Sequence, residues 1–396
     1  MSIRKRTWRT PAGEMKQAWL VDYRDNSGAR RAKQFARKKD AEAWQTEAAW
    51  QVSQGTHTPG SQSITVAKAA ELWLARARRE ELEPTTIASY DQHVRLHIRP
   101  LIGDRKLNQL TKPIVEAFRD QLVETRSRAM AARVMRSLSG IVAEAERRGF
   151  VAQNVAAGVA VRRAKRDKAV TSIPTKLEMR GMIGAAAAST DPMAEALITL
   201  CVFTGPRASE IRGLTWPQID LKAAALTIDR RADAQNVIGP PKSAAGRRTI
   251  PLAPILVSAL RRWKLRCPKS DLQLVFPSPA GEVLSHRSLH RLHLWPVQVG
   301  AGLGEPEVDA AGRARANQEG QPLLRGRYAS HALRHCAASL WIEQRVSPKR
   351  IQRWMGHSSI QVTFDTYGHL FDQAEADAAI MEAVQREVLG ENGTLA

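Results

Sequence analysis

The spacing of apolar residues changes along the chain, and this change constrains the fold more than any other feature of the sequence. Trp19, Val21 and Tyr23 alternate with polar residues, and a turn sequence at 25–28 leads into a second short run, which is typical of a β-hairpin. From Thr65 onward, apolar residues instead recur three and four positions apart, as on one face of a helix. The sequence therefore predicts a small β unit followed by a helical unit.

Local signals set the boundaries of these two units. A further strand over about residues 3–9 makes the sheet three-stranded, and a helix runs from Asp40, as its N-cap, to about Gln54. Turn-forming residues at 55–63 predict a linker. The helical unit has four predicted helices, at about 66–79, 84–97, 113–124 and 128–148.

The rest of the chain mixes helices with short strands. An apolar run at 194–205 predicts a buried helix, and strands are expected at 224–229 and 247–252. The segment 300–326 has few large apolar residues and predicts a long surface loop or insertion. The predicted fold is multidomain α+β: a small three-stranded sheet plus helix, a helical bundle, and a mainly α domain with a small β-sheet. The expected domain boundaries are 1–57, 64–160 and 172–396.

The charge of the chain indicates its partner. Its 396 residues include 60 Lys and Arg against 39 Asp and Glu, a formal net charge of +21. Such an excess favours a polyanion, most often nucleic acid and less often an anionic membrane surface. No apolar run is long enough to span a membrane, and the amino end lacks the apolar stretch of a signal peptide, so we expect a cytoplasmic protein. The three cysteines have no paired spacing, which argues against a disulfide framework.

Four separated segments of the last region carry side chains suited to phosphate chemistry. In HALRH, the spacing places two histidines and an arginine on one helix face, and Ala332 replaces the glutamate that a zinc protease would need. Singly, each segment also fits a solvated or packing role. Their candidate residues are Arg207 in the first turn of a helix, Lys242 in a predicted hairpin turn, His331 and Arg334 in HALRH, and His357 and Tyr367 in GHSSIQVTFDTYGHL, where Tyr367 has a polar, accessible context.

In this order, these residues resemble the motif set of the tyrosine recombinase, or phage integrase, family. The resemblance covers essentially the whole chain, because residues 1–57 are similar to the family's arm-type DNA-binding domain and residues 64–160 to its helical, SAM-like core-binding domain. It implies a site-specific DNA recombinase that cuts and rejoins strands through a 3′-phosphotyrosine intermediate. Such an enzyme integrates or excises a prophage or other mobile element.

The resemblance also assigns roles to individual residues. It makes Arg207 and Arg334 the phosphate-clamping arginines, Lys242 the lysine that protonates the leaving 5′ oxygen, and Tyr367 the nucleophile. The remaining members are His331 and His357 at the phosphate, and Glu210, the acidic residue that orients the site. Because two arginines neutralise the charge that builds on the phosphate, this chemistry requires neither a metal nor a cofactor.

The partners implied by the resemblance are double-stranded DNA, with arm and core attachment sites, and three further copies of the chain in a homotetramer. Host or phage proteins that bend DNA are possible accessories, and the enzyme would act at the bacterial nucleoid. Two alternatives stay open at this point. One is a type IB topoisomerase, which uses similar chemistry on a single duplex, and the other is a DNA-binding regulator that kept the fold without the catalysis.

Several features are not explained by these roles. Pro206 stands where the family usually has a larger apolar residue, and Tyr328 is a rival nucleophile. The histidines at 286, 290 and 293 have the spacing of a metal face or of a DNA-facing or packed helix. The basic run 161–168 is either a phosphate-contacting connector or a solvated linker. The acidic tail 372–396 predicts a helix that docks on a neighbouring protomer or packs on its own domain.

Overall fold

The structure is a computed structural model that describes residues 1–11, 13–162, 172–309 and 312–371. The chain divides into two compact units, residues 1–169 and 170–396. The predicted tail helix at 372–396 and residues 163–168 of the basic run 161–168 lie outside the described residues.

The amino-terminal unit begins with the predicted three-stranded sheet. Strands β1 (Ser2–Arg9), β2 (Met15–Arg24) and β3 (Arg30–Phe35) are antiparallel in the order β1-β2-β3. Val21 of the central strand pairs with Ile3 on one side and Lys33 on the other. Helix α1 (Lys38–Ser53) packs on β2 and β3, so the helix covers one face of the sheet.

One local prediction in this part of the chain is wrong, and one segment predicted as a linker has buried contacts. The N-cap of α1 is Arg37 rather than Asp40, which lies in the first turn and accepts a hydrogen bond from Arg37 Nε at 3.0 Å. The predicted linker is also partly anchored, because His57 is buried. Its ring is hydrogen-bonded to Tyr23 Oη at 3.1 Å and to Gln51 Oε1 at 3.2 Å, although residues 55–63 contain no helix or strand, as predicted.

The helical part of this unit follows the sequence pattern closely. Helix α2 (Val66–Arg79) is capped by the Thr65 side chain, and α6 (Arg128–Arg147) by Ser127. The predicted helix at 84–97 is instead divided into α3 (Pro84–His93), a π turn at Val94–Ile98 and α4 (Arg99–Ile102). Helix α5 (Lys112–Thr125) completes the bundle. The apolar stripe of α6 is buried in its core: Ala131, Val134, Met135, Leu138, Ile141, Val142 and Ala145.

The carboxy-terminal unit is mainly helical with short strands. Its elements are α7 (Lys176–Ala187), α8 (Ala194–Thr204), α9 (Ala208–Arg212), β4 (Ile219–Asp220), β5 (Ala225–Ile228), β6 (Arg231–Ala232), β7 (Ile238–Gly239), β8 (Arg248–Pro251), α10 (Pro254–Arg266), α11 (His286–Ser288), α12 (Trp295–Gly300), β9 (Gly304–Pro306), β10 (Leu324–Gly326), α13 (Ser330–Glu343), α14 (Pro348–Met355) and α15 (Ile360–Phe371). A π turn at Leu289–Leu294 precedes α12.

Helix α8 forms the centre of this unit. It is apolar on all sides and packs against α7, α10 and α13, as expected for a helix enclosed by others. Strands β4, β5 and β8 make a three-stranded antiparallel sheet, which confirms the two strands predicted on either side of Lys242. The α+β fold class predicted from the sequence is therefore confirmed.

The insertion at 300–326 is more ordered than a surface loop. Strand β9 pairs with β10, and bridges join Val308 to Ala314 and Ala316 to Pro322. These pairings give the backbone hydrogen-bond partners without a large apolar core, which explains why the composition suggested a loop. Among the helices of the described ranges, none is long and apolar enough to cross a membrane.

Candidate active site

The turn after α8 places the first candidate residue. Gly205 ends α8 in the left-handed conformation (φ 54°), and a Cβ there would lie 2.9 Å from Ala337 Cβ. The chain then reverses into α9, with Arg207 as the N-cap residue rather than in the first turn. Arg207 donates from its guanidinium to Glu210 Oε1 at 2.9 Å and to the Gly356 carbonyl at 3.1 Å.

Glu210 is the buried centre of the cluster. Its carboxylate accepts two hydrogen bonds from Arg248, at 3.0 and 2.8 Å, besides the bonds from the Arg207 guanidinium and backbone N–H. Burial alone would raise the pKa of Glu210, but hydrogen bonds from Arg248 and the charges of Arg248, Arg207 and Arg334 lower that pKa to about 2. Glu210 is therefore ionised and holds the arginines in place.

Arg334 lies on α13 and is almost fully buried. It donates to the Gly205 carbonyl at 2.7 Å and to the Met355 carbonyl, so it joins the end of α8 to the end of α14. Burial and the charge of Arg207 lower its pKa to about 9. Because this pKa is above neutral pH, Arg334 keeps its charge. Its hydrogen bonds go to backbone carbonyls rather than to carboxylates.

Two histidines flank Arg334 on the same helix. His331 is exposed, and its pKa is lowered by burial of part of its ring and by the charges of Arg334 and Arg207. His335 is half-buried, and its pKa is lowered to about 4 by burial, His331 and Arg334. The two rings meet edge to face with their centroids 4.7 Å apart.

The turn between α14 and α15 supplies the last two candidates. Gly356 ends α14 in the left-handed conformation, and the next residue, His357, is hydrogen-bonded through Nδ1 to Thr363 Oγ1 at 2.9 Å. Tyr367 on α15 is 3% exposed, which contradicts the accessible position expected from the sequence. Its Oη is 2.7 Å from His335 Nδ1, and its ring lies parallel to the His357 ring at 6.4 Å. Burial raises the pKa of Tyr367 to about 12 although Arg334 opposes the shift.

Lys242 is not bonded to this cluster among the described residues. It is exposed in the connection between β7 and β8, and in the described part of the chain no hydrogen bond or ion pair joins its amine to the other candidates. Lys242 lies instead on the turn that precedes Arg248 in the sequence. The structure therefore brings together six of the seven candidates: Arg207, Glu210, His331, Arg334, His357 and Tyr367.

The cluster has a surplus of positive charge. Arg207, Arg248 and Arg334 surround one carboxylate, that of Glu210, so two of the three charges are not balanced within it. Unbalanced cations beside a buried phenol can bind an anion, such as a phosphodiester, and hold it next to the phenol.

Sequence reasoning missed two members of the cluster. Arg248 begins β8, in which Arg248 and Ile250 are buried and Thr249 is exposed. Side chains alternate between the two faces of a strand, so the sequence places this arginine on the same face as Ile250. A charged residue on an apolar strand face was the signal that could have identified Arg248. His335 was recognised on the helix face of His331 and Arg334 but received no role. Its contact with Tyr367 spans 32 residues and has no local signature.

The rival sites have structural partners. Tyr328 is buried and donates its hydroxyl to Glu178 at 3.0 Å. His290 is buried, and His293 pairs with Asp191 at 2.7 Å, so one carboxylate lies beside this histidine row. No group of three or more metal-ligating residues occurs within the described residues.

Two family profiles match the chain. The profile described as "Phage integrase family" matches residues 175–374, and that described as "Phage integrase, N-terminal SAM-like domain" matches residues 65–123. The first match includes all seven candidate residues. The second falls within the predicted domain at 64–160.

Individual proteins are similar over most of the chain. A "Tyrosine recombinase XerC-like" protein of Caldanaerobacter subterraneus subsp. tengcongensis is 23% identical over 374 residues, 90% of this chain and 92% of that protein. The Tn1549 transposon integrase bound to transposon right end DNA shares the fold with a TM-score of 0.64 at 18% identity, over 81% of this chain and 99% of that one. A lambda integrase tetramer bound to a Holliday junction shares the fold with a TM-score of 0.55 at 19% identity. The similarity covers 89% of this chain and 95% of that one.

Proposed function

The chain belongs to the phage integrase family and is a tyrosine-type site-specific DNA recombinase, and from this premise we propose that Tyr367 is the residue that cuts the DNA. One observation carries the proposal. The buried Tyr367 hydroxyl adjoins the cluster in which three arginines surround the single carboxylate of Glu210. An anionic phosphodiester complements the unbalanced charge and brings its phosphorus to the phenol.

In the proposed reaction, Arg207 and Arg334 bind the non-bridging oxygens of the phosphodiester. Both guanidiniums donate to backbone carbonyls in this structure. Hydrogen bonds from arginine to phosphate are stronger than hydrogen bonds from arginine to a carbonyl, so DNA competes for these donors. Glu210 and Arg248 hold Arg207 in position, and His331 and His357 contact the phosphate from either side. Since Tyr367 is buried, binding of DNA must also expose its hydroxyl.

Tyr367 then attacks phosphorus and forms a 3′-phosphotyrosine link, while Lys242 gives a proton to the departing 5′ oxygen. A covalent phosphodiester-like link conserves the energy of the broken bond, so a second DNA end rejoins without ATP. The arginines supply the charge neutralisation that a metal ion supplies in other phosphoryl transfers, so the proposed steps need neither a metal nor a cofactor.

The three domains divide the DNA between them in this proposal. Residues 1–57 bind arm sites, residues 64–160 together with residues 172–396 enclose the core site, and four protomers exchange strands between two duplexes. The similarity to a transposon integrase supports mobilisation of a prophage or other mobile element, with DNA-bending accessory proteins, in the bacterial cytoplasm at the nucleoid. Since much of the +21 charge contacts backbone phosphates, binding should weaken steeply with salt.

A covalent-trapping experiment tests the nucleophile. The full chain is incubated with a nicked core-site DNA whose cleavage releases a short fragment, and the products are separated on a denaturing gel. Wild type should form a protein–DNA adduct that maps to the peptide containing Tyr367. Tyr367→Phe should form none, whereas Tyr328→Phe should retain it.

The other outcomes distinguish the alternatives. An adduct in Tyr367→Phe would overturn the assignment of the nucleophile. Absence of an adduct from wild type on its own attachment site would favour the non-catalytic regulator. Cleavage and rejoining of one duplex, without a four-way junction when two duplexes are supplied, would favour a topoisomerase.

A further inference from the structure

His335 is the histidine that contacts the nucleophile. Its Nδ1 lies 2.7 Å from Tyr367 Oη, and the two rings meet at 61° with centroids 5.5 Å apart. The two histidines assigned from the family motif are engaged differently: His357 Nδ1 is hydrogen-bonded to Thr363, and His331 packs edge to face on His335. Among the described residues, His335 alone has a hydrogen bond to the Tyr367 hydroxyl.

We infer that His335 takes the proton from Tyr367 during DNA cleavage and returns it during rejoining. This inference rests on the proposed function of Tyr367 as the nucleophile. It separates two proton transfers in the active site, because His335 serves the attacking oxygen and Lys242 serves the leaving oxygen. It also leaves His331 and His357 as phosphate contacts rather than as bases.

Cleavage moves two protons and exchanges one oxygen on phosphorus. The Tyr367 O–H bond breaks and its proton goes to Nδ1 of neutral His335, which becomes an imidazolium. The phenolic oxygen forms a bond to phosphorus, the bond from phosphorus to the 5′ oxygen breaks, and that oxygen takes a proton from the Lys242 ammonium. In rejoining, a 5′ hydroxyl attacks phosphorus, Lys242 accepts its proton, and the departing Tyr367 oxygen recovers its proton from His335.

The surroundings of His335 keep it neutral before attack. His331 and Arg334 face it from its own helix, Tyr367 from α15 and His357 from the turn after α14. With its pKa lowered to about 4, the ring offers a free lone pair at neutral pH. The phenol holds its proton far more tightly, with a pKa of about 12, so the proton moves only as the O–P bond forms and makes the phenolic oxygen acidic.

A change in the leaving group separates the two proton transfers. Cleavage is measured in single turnover on a core-site DNA with an ordinary scissile phosphate, and on one with sulfur in place of the bridging 5′ oxygen, because a thiolate leaves without a proton. We expect His335→Ala to cleave about 10²-fold more slowly than wild type on both DNAs. Lys242→Ala should be slow on the oxygen DNA and recover on the sulfur DNA. His286→Ala, which changes an exposed histidine of the same unit, should match wild type.

The pH profile adds a second measurement. Wild-type cleavage should vary little between about pH 6 and about pH 8, since neutral His335 is already available. In His335→Ala the phenol must lose its proton to solvent, so the rate should rise by about tenfold per pH unit over this range. His335→Asn keeps a hydrogen-bonding side chain that cannot take the proton, and it should stay as slow as His335→Ala.

Specific results would overturn the inference. Recovery of His335→Ala on the sulfur DNA would place His335 at the leaving group. Cleavage by His335→Asn within about threefold of wild type would make His335 a positioning residue only. If His335→Ala fails to fold, the Asn variant carries the test. Failure of the proposed function is recognised separately, because it appears as loss of the Tyr367 adduct from wild type.

Discussion

A buried tyrosine hydrogen-bonded to a histidine occurs in both units of the chain, in opposite surroundings. In the amino-terminal unit, Tyr23 Oη lies 3.1 Å from His57 Nε2, beside Trp44 and the carboxylate of Asp25. In the carboxy-terminal unit, Tyr367 Oη lies 2.7 Å from His335 Nδ1, beside Arg334. The pKa of each tyrosine is raised by burial, and that of each histidine is lowered.

The difference between the two pairs lies in the balance of charge. Asp25 accepts from Arg31 and from the backbone of its own turn, and Glu47 offsets the charge of Lys33, so each cation beside this pair has a carboxylate. Around Tyr367, Glu210 balances only one of three arginines. We therefore expect the pair of Tyr23 and His57 to be structural, because its charges cancel, and the pair of Tyr367 and His335 to suit catalysis, because a surplus of cations attracts a phosphate.

Loss of Arg248 should have the largest effect on the carboxy-terminal cluster. Arg248→Met leaves the buried Glu210 carboxylate short of two hydrogen bonds, so we expect the free energy of unfolding of this unit to fall by about 3 kcal/mol. Amide hydrogen exchange of peptides from α9 and α13 measures this loss of stability. The double variant Arg248→Met, Glu210→Gln should be more stable than Arg248→Met alone, and an unchanged exchange rate in the single variant would contradict the central role of the pair.

Arg207→Lys tests whether the surplus charge must have the shape of a guanidinium. Lysine keeps the charge but cannot span two phosphate oxygens, so single-turnover cleavage should fall about 10²-fold. The corresponding change in the amino-terminal unit, Arg31→Lys, should leave cleavage of a core-site DNA without arm sites within about twofold of wild type. Equal losses in the two variants would remove the distinction between the clusters.

Acid should destabilise the carboxy-terminal cluster through its histidines. In the unfolded chain a histidine titrates near 6.5, whereas His335 and His357 have pKa values lowered to about 4 by burial and neighbouring cations. Between these values the unfolded chain binds more protons, so stability is fully present above about pH 6.5 and is lost as the pH falls toward about 4. Exchange of α13 and α15 peptides across this range measures the slope. His357→Gln should flatten it, and an unaltered slope would contradict the assignment.

The smallest expected effect is that of Tyr23→Phe. Removal of its hydroxyl loses one hydrogen bond to His57, so the amino-terminal unit should lose about 1 kcal/mol, as measured by exchange of β2 peptides. Adduct formation with core-site DNA should be unchanged. Tyr367→Phe should cost similar stability in its own unit while abolishing the adduct, and loss of the adduct in Tyr23→Phe would show that the two pairs are not functionally distinct.

Local patterns in the sequence predicted most elements well. The stripe on α6 and the caps at Thr65 and Ser127 determine helix bounds through neighbours three and four residues apart, and α2 has its predicted bounds. The hairpin of β2 and β3 follows from alternation and a turn. The π turn at Val94–Ile98 and the strands of the insertion were missed, because their hydrogen bonds leave no apolar period.

The sequence by itself determined the types and order of the motif residues and, through them, the family of the chain. Only the tertiary structure decided how they are arranged: that Arg248 joins Glu210 across 38 residues, that Tyr367 is buried, and that His335 rather than His331 contacts it. Periodicity records which face of an element is apolar, and a motif records which side chains are present. Neither specifies which side chains meet when α8, α13 and α15 pack, because that depends on the volume and charge of all three at once.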